Sequence, residues 1–204
     1  MIGSVKGIST IQAETLVALQ GLLPDVSKSV VLDQVDHSSA AVMVLLFIKN
    51  NEWHVLLNKR SESLQRHKGE ICFPGGVWDP QDTNHYATAT RETQEEIGIH
   101  PSTIQLIGDL DPVAVSTGFL VRPVVGCITY PYSPQINSAE VAKIIEVPIS
   151  LLMDPSGVRE QAYLRNGTLE YSYSYVYEGQ LVYGATARIL TQFLEFLAPL
   201  LERS

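Results

Sequence analysis

The strongest constraint on the fold is an unbroken apolar run, AAVMVLLFI, at residues 40–48. The run is much shorter than the roughly 20 residues that a membrane-spanning helix needs. It is instead typical of a strand that is buried on both faces. The turn KNNE and a second apolar run, WHVLLNKR, follow it directly. We therefore predict a buried β-hairpin.

Helical and strand patterns are intermixed along the rest of the chain. Residues 9–23 predict an amphipathic helix that is opened by a Ser or Thr cap and stopped before Pro24. A short strand, EICFP, ends at a pair of glycines. Later strands are predicted within 104–115, 121–130 and 140–152, and the last of these ranges also contains a short helix. A hairpin is predicted at 169–184, with its turn at Glu178 and Gly179, and a final helix at 185–201. This order predicts an α/β (α+β) fold, with a mixed, mainly antiparallel sheet covered by helices.

Length, charge and composition exclude several classes of protein. With 204 residues, 45% of them hydrophobic, the chain suits one globular domain over residues 1–204. A net charge of -8 argues against nucleic-acid binding. There is no membrane-length apolar run, and the N-terminus lacks the apolar core of a secretory signal, so we expect a cytoplasmic protein with no membrane partner. Cys72 and Cys127 are expected to be buried, reduced thiols.

A second helix is predicted between Asp82 and Ile97. Asp82, Thr83 or Asn84 can cap its start, and Gly98 can end it. One face carries the less polar stripe, made of Tyr86, Thr90, Thr93 and Ile97. Glu92, Glu95 and Glu96 fall opposite this stripe, so we expect all three to point away from the core.

Three glutamates at positions i, i+3 and i+4 repel one another unless a cation neutralises them. Mg²⁺ and Mn²⁺ prefer carboxylate oxygens, although glutamates on a helix are more often only a solvated face. Arg91 can pair with one of the acids and orient it. The glycines of the pair, Gly75 and Gly76, can let the backbone approach a metal ion or a phosphate.

The order of these residues resembles the Nudix box of the Nudix hydrolase superfamily. The pattern of that box is Gly, five residues, Glu, seven residues, then Arg-Glu-U-x-Glu-Glu-x-Gly-U, where U is aliphatic. RETQEEIGI, from Arg91 to Ile99, matches the second half except at Thr93. Five residues separate Gly76 from the next box position, where the chain has Asp82 in place of Glu, and eight residues rather than seven separate Asp82 from Arg91.

The departure resembles the coenzyme A pyrophosphatase branch of the superfamily. Its extra upstream motif is similar to LLNKRSESLQRHKGEICFPGG at residues 56–76, and EVPISLL and YGATARIL resemble later segments. The resemblance covers residues 38–197. It implies a Nudix fold, with a sheet sandwiched between helices, preceded by a helical extension at residues 1–37.

This resemblance also implies an activity and a set of site residues. The chain is expected to hydrolyse the diphosphate bond of coenzyme A or acyl-CoA with Mg²⁺ or Mn²⁺ as cofactor. The implied metal ligands are Glu92, Glu96, Glu95 and Gly76, and the implied catalytic residues are Glu95, Glu92 and Arg91. The implied substrate-binding residues are Arg60, Arg66, His67, Lys68 and Gly75.

Two alternatives stay open at this point. The substrate could be another nucleoside diphosphate derivative, such as ADP-ribose, NADH or a dinucleotide. The chain could also be a Nudix-fold binding module without turnover. Tyr171, Tyr173, Tyr175 and Tyr177 share one side of a strand and are expected to pack or to form a dimer surface. A homodimer is expected by resemblance, and His85 is expected to be exposed near the helix start.

Overall fold

The computed structural model of this protein describes residues 9–24, 39–115, 118–165 and 168–202. Its helices are α1 (Thr10–Leu22), α2 (His85–Ile97), α3 (Ile149–Met153) and α4 (Gly184–Leu201). Its strands are β1 (Ser39–Lys49), β2 (Glu52–Arg60), β3 (Ile71–Cys72), β4 (Gly75–Val77), β5 (Gln105–Asp109), β6 (Val113–Ala114), β7 (Leu120–Cys127), β8 (Val141–Pro148), β9 (Val158–Arg165), β10 (Thr168–Tyr177) and β11 (Gln180–Val182). Short 3₁₀ turns occupy Pro101–Thr103 and Pro155–Gly157.

Eight of the strands form one mixed sheet around β1. The order along the sheet is β3-β2-β1-β7-β5, and β4 also pairs with β1, β6 with β7, and β8 with β2. In the part of the chain that the structure describes, β1 and β7 run parallel and the other pairs of this sheet are antiparallel. The strands β11-β10-β9 form a separate antiparallel sheet. The predicted mixed, mainly antiparallel sheet with helices is confirmed.

Local sequence signals account for the elements that were predicted. Ser9 caps α1 in a reciprocal capping box with Gln12. Asn50 and Asn51 turn the β1–β2 hairpin with φ values of 53° and 63°, which is the left-handed pair that a two-residue turn requires. Two strands were not predicted, β4 and β9. The expected boundary between residues 37 and 38 lies outside the described residues.

The alternation of side chains along β1 explains why its apolar run is unbroken. Met43 and Leu45 point into a core beneath α2, whereas Val44 and Leu46 point into a second core on the opposite face. Residues of α1, α4 and β10 fill that second core. Both faces of the sheet are therefore covered, and a strand buried on both faces needs apolar residues at every position.

Strands β1 and β2 diverge, and the chain segment 71–77 lies between them. Residues 52–56 of β2 pair with β1, but residues 58 and 59 pair with β3. Residues 40–42 of β1 pair instead with β4. The Met43 backbone N–H donates to the Pro74 carbonyl at 2.8 Å, which holds the inserted segment. The glycine pair is thereby placed beside helix α2.

The remaining expectations concern tyrosines, thiols and membranes. Tyr175 is buried, and Tyr173 and Tyr177 pack against the core, so the packing role expected for the β10 tyrosines is confirmed for these three. Cys72 and Cys127 are free, and burial raises the pKa of each thiol to about 12. Within the described ranges, no helix combines the length and apolarity that crossing a bilayer demands.

Candidate active site

Helix α2 carries the glutamate cluster and is defined at both ends. Asn84 caps its start, since its Oδ1 accepts a hydrogen bond from the Ala87 backbone N–H at 2.8 Å. Gly98 ends it in the left-handed region at φ 72°, as predicted. The predicted stripe packs inward: Tyr86 and Ile97 contact the core beneath the helix, and Thr90 and Thr93 are buried.

Arg91 joins the acidic residues into one network. It binds Asp82 through two parallel contacts, Nε to Oδ1 at 3.0 Å and Nη2 to Oδ2 at 2.9 Å. Its Nη1 donates to Glu92 at 2.9 Å and to Glu95 at 3.1 Å, and its Nη2 also donates to the Val77 carbonyl at 3.1 Å. A guanidinium with this many acceptors is held in one orientation, and it holds the acids in turn.

Asp82 anchors Arg91. Burial alone would raise the pKa of Asp82, but hydrogen bonds from Arg91 and from the Asp79 backbone N–H outweigh this and lower the pKa. The carboxylate is therefore charged at neutral pH. The residue that departs from the usual box thus has a defined place, and the extra residue before Arg91 does not prevent the paired contact.

Glu96 is buried, which corrects the expectation that all three glutamates point away from the core. Its side chain is turned toward the sheet, and the residue is only 2% exposed. Its Oε2 accepts hydrogen bonds from Asn58 Nδ2 at 2.9 Å and from the Gly75 backbone N–H at 3.2 Å. Burial raises the pKa of Glu96 to about 7; the Gly75 contact opposes this rise, and the negative charge of Glu92 adds to it.

Glu92 lies directly against Gly76. A Cβ built on Gly76 would come within 2.5 and 2.6 Å of the two carboxylate oxygens of Glu92, so a larger residue here would push this carboxylate out of its present position. Burial raises the pKa of Glu92, while the contact with Arg91 opposes the rise. Glu95 differs from both neighbours, because 55% of its side chain is exposed.

Gly75 is required by close packing. Its φ of 151° lies in the region that side-chain-bearing residues rarely adopt. A Cβ there would collide with the carbonyl oxygen of Ala41 and come within 2.6 Å of the Val42 Cα. The two glycines therefore let the 71–77 segment lie between β1 and α2, with Gly75 contacting Glu96 and Gly76 contacting Glu92.

Of the basic residues predicted to bind substrate, the structure brings Arg60 to the cluster. The positive charge of Arg60 lowers the pKa of Glu96, and its buried Nε has no hydrogen-bond partner among the described residues. Arg66, His67 and Lys68 lie on the exposed loop between β2 and β3. His67 has a left-handed φ of 57°, and its Nδ1 lies 3.0 Å from Glu70 Oε2.

The candidate metal ligands are of the type that a hard divalent cation prefers, although the acidic side chains do not converge on one point. The described ranges contain no group of three or more His, Cys, Asp or Glu side chains positioned to hold a metal ion. Arg91 instead contacts Glu92 and Glu95. Yet every candidate ligand is an oxygen, and Glu96 Oε1 forms no hydrogen bond within the described residues. Carboxylate oxygens are the ligands that Mg²⁺ and Mn²⁺ prefer, so these residues fit such an ion.

Glu140 and Asn58 also belong to this site, and sequence reasoning missed both. Glu140 precedes β8, and its negative charge raises the pKa of both Glu92 and Glu96. Asn137 Nδ2 donates to Glu140 at 3.1 Å and so orients it. Asn58 lies within the upstream motif at residues 56–76, but nothing in that motif showed that its side chain reaches Glu96. Glu140 lies more than 40 residues beyond the box, so no local pattern indicated it.

His85 corrects a second expectation, since it is buried rather than exposed. Its Nε2 lies 3.2 Å from each carboxylate oxygen of Asp109 on β5. This contact ties the first turn of α2 to the end of β5, the last strand in the sheet order. The residue therefore has a structural contact and no contact with the glutamates.

Comparisons with known proteins agree with this architecture. The NUDIX domain model matches residues 37–148. The chain is 39% identical over 160 residues to the uncharacterised Nudix hydrolase NudL of Photorhabdus laumondii, which covers 78% of this chain and 86% of that protein. It is 35% identical over 127 residues to the peroxisomal coenzyme A diphosphatase NUDT7 of Mus musculus, covering 62% of this chain and 54% of that protein.

Solved structures give the same fold. A MutT/nudix family protein from Enterococcus faecalis aligns with a TM-score of 0.53, over 95% of this chain and 71% of that chain. The sequence identity in this alignment is 12%, so the likeness concerns the fold alone.

Proposed function

Since the chain belongs to the Nudix hydrolase family, we propose that it cleaves the diphosphate bond of coenzyme A or of an acyl-CoA. Water adds to one phosphorus of the diphosphate, and the bridging P–O bond breaks. The products are 4′-phosphopantetheine, or its acyl form, and adenosine 3′,5′-bisphosphate. The proposal is carried by one arrangement: two partly or fully buried carboxylates, Glu92 and Glu96, lie on the glycine pair, and Arg60 lies beside them.

Three observations support coenzyme A as the substrate. The upstream motif at residues 56–76 resembles the coenzyme A pyrophosphatase branch. A coenzyme A diphosphatase is 35% identical over part of the chain. Arg60 presents a buried, unpartnered Nε within the described structure, and the substrate carries both a diphosphate and a 3′-phosphate that a guanidinium can bind.

The metal ion would be held by the oxygens of α2 and of the glycine pair. Glu92 and Glu96 are the proposed ligands, the Gly76 carbonyl is proposed as a third, and Glu95 is proposed as a further ligand or as the base. When bound, Mg²⁺ or Mn²⁺ neutralises charge on the diphosphate and lowers the pKa of the attacking water. Glu140 faces the same carboxylates and adds negative charge to the site.

The other side chains position these groups and the substrate. Arg91, fixed by Asp82, orients Glu92 and Glu95. Arg60 would bind a substrate phosphate next to the glutamates. The Gly75 backbone N–H already donates to Glu96, so the expectation that Gly75 binds substrate is not kept. The exposed loop residues Arg66, His67 and Lys68 would reach the more distant 3′-phosphate.

A substrate panel with product identification tests the proposal. Coenzyme A, dephospho-coenzyme A, ADP-ribose and NADH are each incubated with the protein and Mg²⁺ or Mn²⁺, and the products are identified by mass spectrometry. We expect the highest kcat/KM for coenzyme A and a lower value for dephospho-coenzyme A. Preference for ADP-ribose or NADH would move the substrate to another nucleoside diphosphate. A lack of turnover with every compound would favour a binding module.

Two further expectations stay predictions. A homodimer is checked by the mass of the protein in solution, and a cytoplasmic location by fractionation of the source cells. Neither bears on the chemistry of the glutamates.

A further inference from the structure

Asn58 has a buried side-chain amide whose nitrogen forms a hydrogen bond and whose oxygen does not. It lies on β2, is only 1% exposed, and donates its Nδ2 proton to Glu96 Oε2 at 2.9 Å. Its Oδ1 is buried and has no hydrogen-bond partner among the residues that the structure describes. A buried acceptor without a donor destabilises a protein, because the lost hydrogen bonds to water are not replaced.

Packing alone does not explain an amide at this position. Leucine has a similar shape and would fill the same space on the side of β2 that faces α2 without an unpartnered oxygen. The single hydrogen bond that the Asn58 amide makes in the described structure is with Glu96. The chemistry of Asn58 is therefore directed at that carboxylate.

The donors around Glu96 are arranged asymmetrically. Asn58 Nδ2 and the Gly75 backbone N–H converge on the same oxygen, Oε2. The other oxygen, Oε1, accepts no hydrogen bond within the described ranges and is not among the buried unpartnered atoms. One oxygen is tied to the sheet, and the other is left available to a ligand.

We propose that Asn58 is a positioning residue that holds Glu96 by Oε2 so that Oε1 is presented to the metal ion. The inference rests on the proposed metal-dependent function, because it assumes that Glu96 binds metal. Hydrogen-bond partners of metal-binding carboxylates orient the ligand, and loss of such a partner weakens metal affinity about 10- to 100-fold. Asn58 is not proposed to touch the metal ion or the substrate.

The test measures Mn²⁺ binding to the metal-free full-length protein by electron paramagnetic resonance of free Mn²⁺. In Asn58→Leu, we expect the Kd for Mn²⁺ to rise about 10- to 100-fold. Asn58→Val is a second apolar variant that suits a strand. His54→Leu is the matched control, because His54 is buried on the same face of β2, stacks on Phe47 and has no contact with Glu96. This control should keep the wild-type Kd within about two-fold.

A double variant distinguishes positioning from direct ligation. If Asn58 acts through Glu96, Asn58→Leu combined with Glu96→Gln should bind Mn²⁺ no more weakly than Glu96→Gln alone. Additive losses would mean that Asn58 binds the ion itself and would overturn the inference. Wild-type Mn²⁺ affinity in a folded Asn58→Leu or Asn58→Val variant would overturn it as well.

The remaining outcomes separate this inference from the proposed function. If both apolar variants fail to fold, the amide is needed for folding rather than for placing Glu96, and the inference is wrong. A wild-type protein that binds no Mn²⁺ contradicts both proposals. If the wild type binds Mn²⁺, loses affinity in Asn58→Leu and yet cleaves no coenzyme A, the proposed substrate fails and the role of Asn58 stands.

Discussion

Replacing Glu96 with Gln should stabilise the metal-free protein at alkaline pH while removing its activity. Glu96 is almost fully buried, and burial raises the pKa of its carboxyl from 4.5 to about 7. Its charged form is therefore disfavoured in the folded state. Gln has nearly the same shape, carries no charge, and offers Asn58 and Gly75 an acceptor oxygen at the same place.

The size and sign of the effect follow from the pKa. Each pKa unit corresponds to about 1.36 kcal/mol, so a pKa raised by about 2.5 means that the charged form of Glu96 costs the folded state about 3 kcal/mol. Between pH 4.5 and 7 the unfolded chain releases the Glu96 proton while the folded chain keeps it. The free energy of unfolding therefore falls as pH rises through this window and stays lower above it. Gln has no proton to lose, so the variant avoids this decrease.

The assay is urea denaturation of the wild type and Glu96→Gln with a chelator present, at pH 4 and pH 8. At pH 4 the two should be equally stable within about 0.5 kcal/mol. At pH 8 the variant should be more stable by up to about 3 kcal/mol. Glu95→Gln is the matched control on the same helix, because 55% of its side chain is exposed and the change should have no such pH dependence.

Activity completes the experiment. Glu96→Gln should lower kcat for coenzyme A by at least about 100-fold, because a neutral amide replaces a proposed metal ligand. Equal stability of the variant and the wild type at pH 8 would refute the argument from burial. Wild-type turnover would remove Glu96 from the active site, whatever the stability result.

Three further predictions concern the rest of the site. Gly76→Ala should lower kcat while changing the stability by no more than about 1 kcal/mol, because the new Cβ would displace only the carboxylate end of Glu92. Thermal melting and a hydrolysis assay check this, and an unchanged kcat would contradict it. Asp82→Asn should weaken the paired contact with Arg91, so the protein should lose about 1–2 kcal/mol of stability in urea denaturation and its kcat should fall. Wild-type stability together with wild-type kcat would show that Asp82 is dispensable. Arg66→Ala should raise KM for coenzyme A more than KM for ADP-ribose, and equal increases would argue against a 3′-phosphate contact.

Short-range chemistry made much of this protein predictable. The Ser9 cap, the Asn50–Asn51 turn and the Gly98 stop are local hydrogen-bonding and backbone preferences, and the structure has all of them. The glutamates of the box segment were also predictable from local sequence, because residues three and four apart on a helix are always neighbours. The family predicted from that segment is confirmed by the NUDIX domain match.

Long-range packing decided which side of helix α2 is buried. The less polar stripe correctly predicted the face of α2 that packs on the core. A second side of α2 lies against the inserted segment 71–77. Glu96 is on that second side, where Gly75 and Asn58 can satisfy one carboxylate oxygen. The periodic pattern of a helix shows which face packs on the core. It could not show that segment 71–77 would bury a glutamate on a different face.

The residues that complete the site come from strand β2 and from the turn before β8. The sequence by itself determined helix α2, the spacing of its glutamates and the glycine pair, because each depends on neighbours within a few positions. Only the tertiary structure brought Asn58, Arg60 and Glu140 to the carboxylates, through the pairing of β2 with β3 and β8. Their charges and hydrogen bonds set the pKa values of the cluster, and such effects depend on distance in space rather than on distance along the chain.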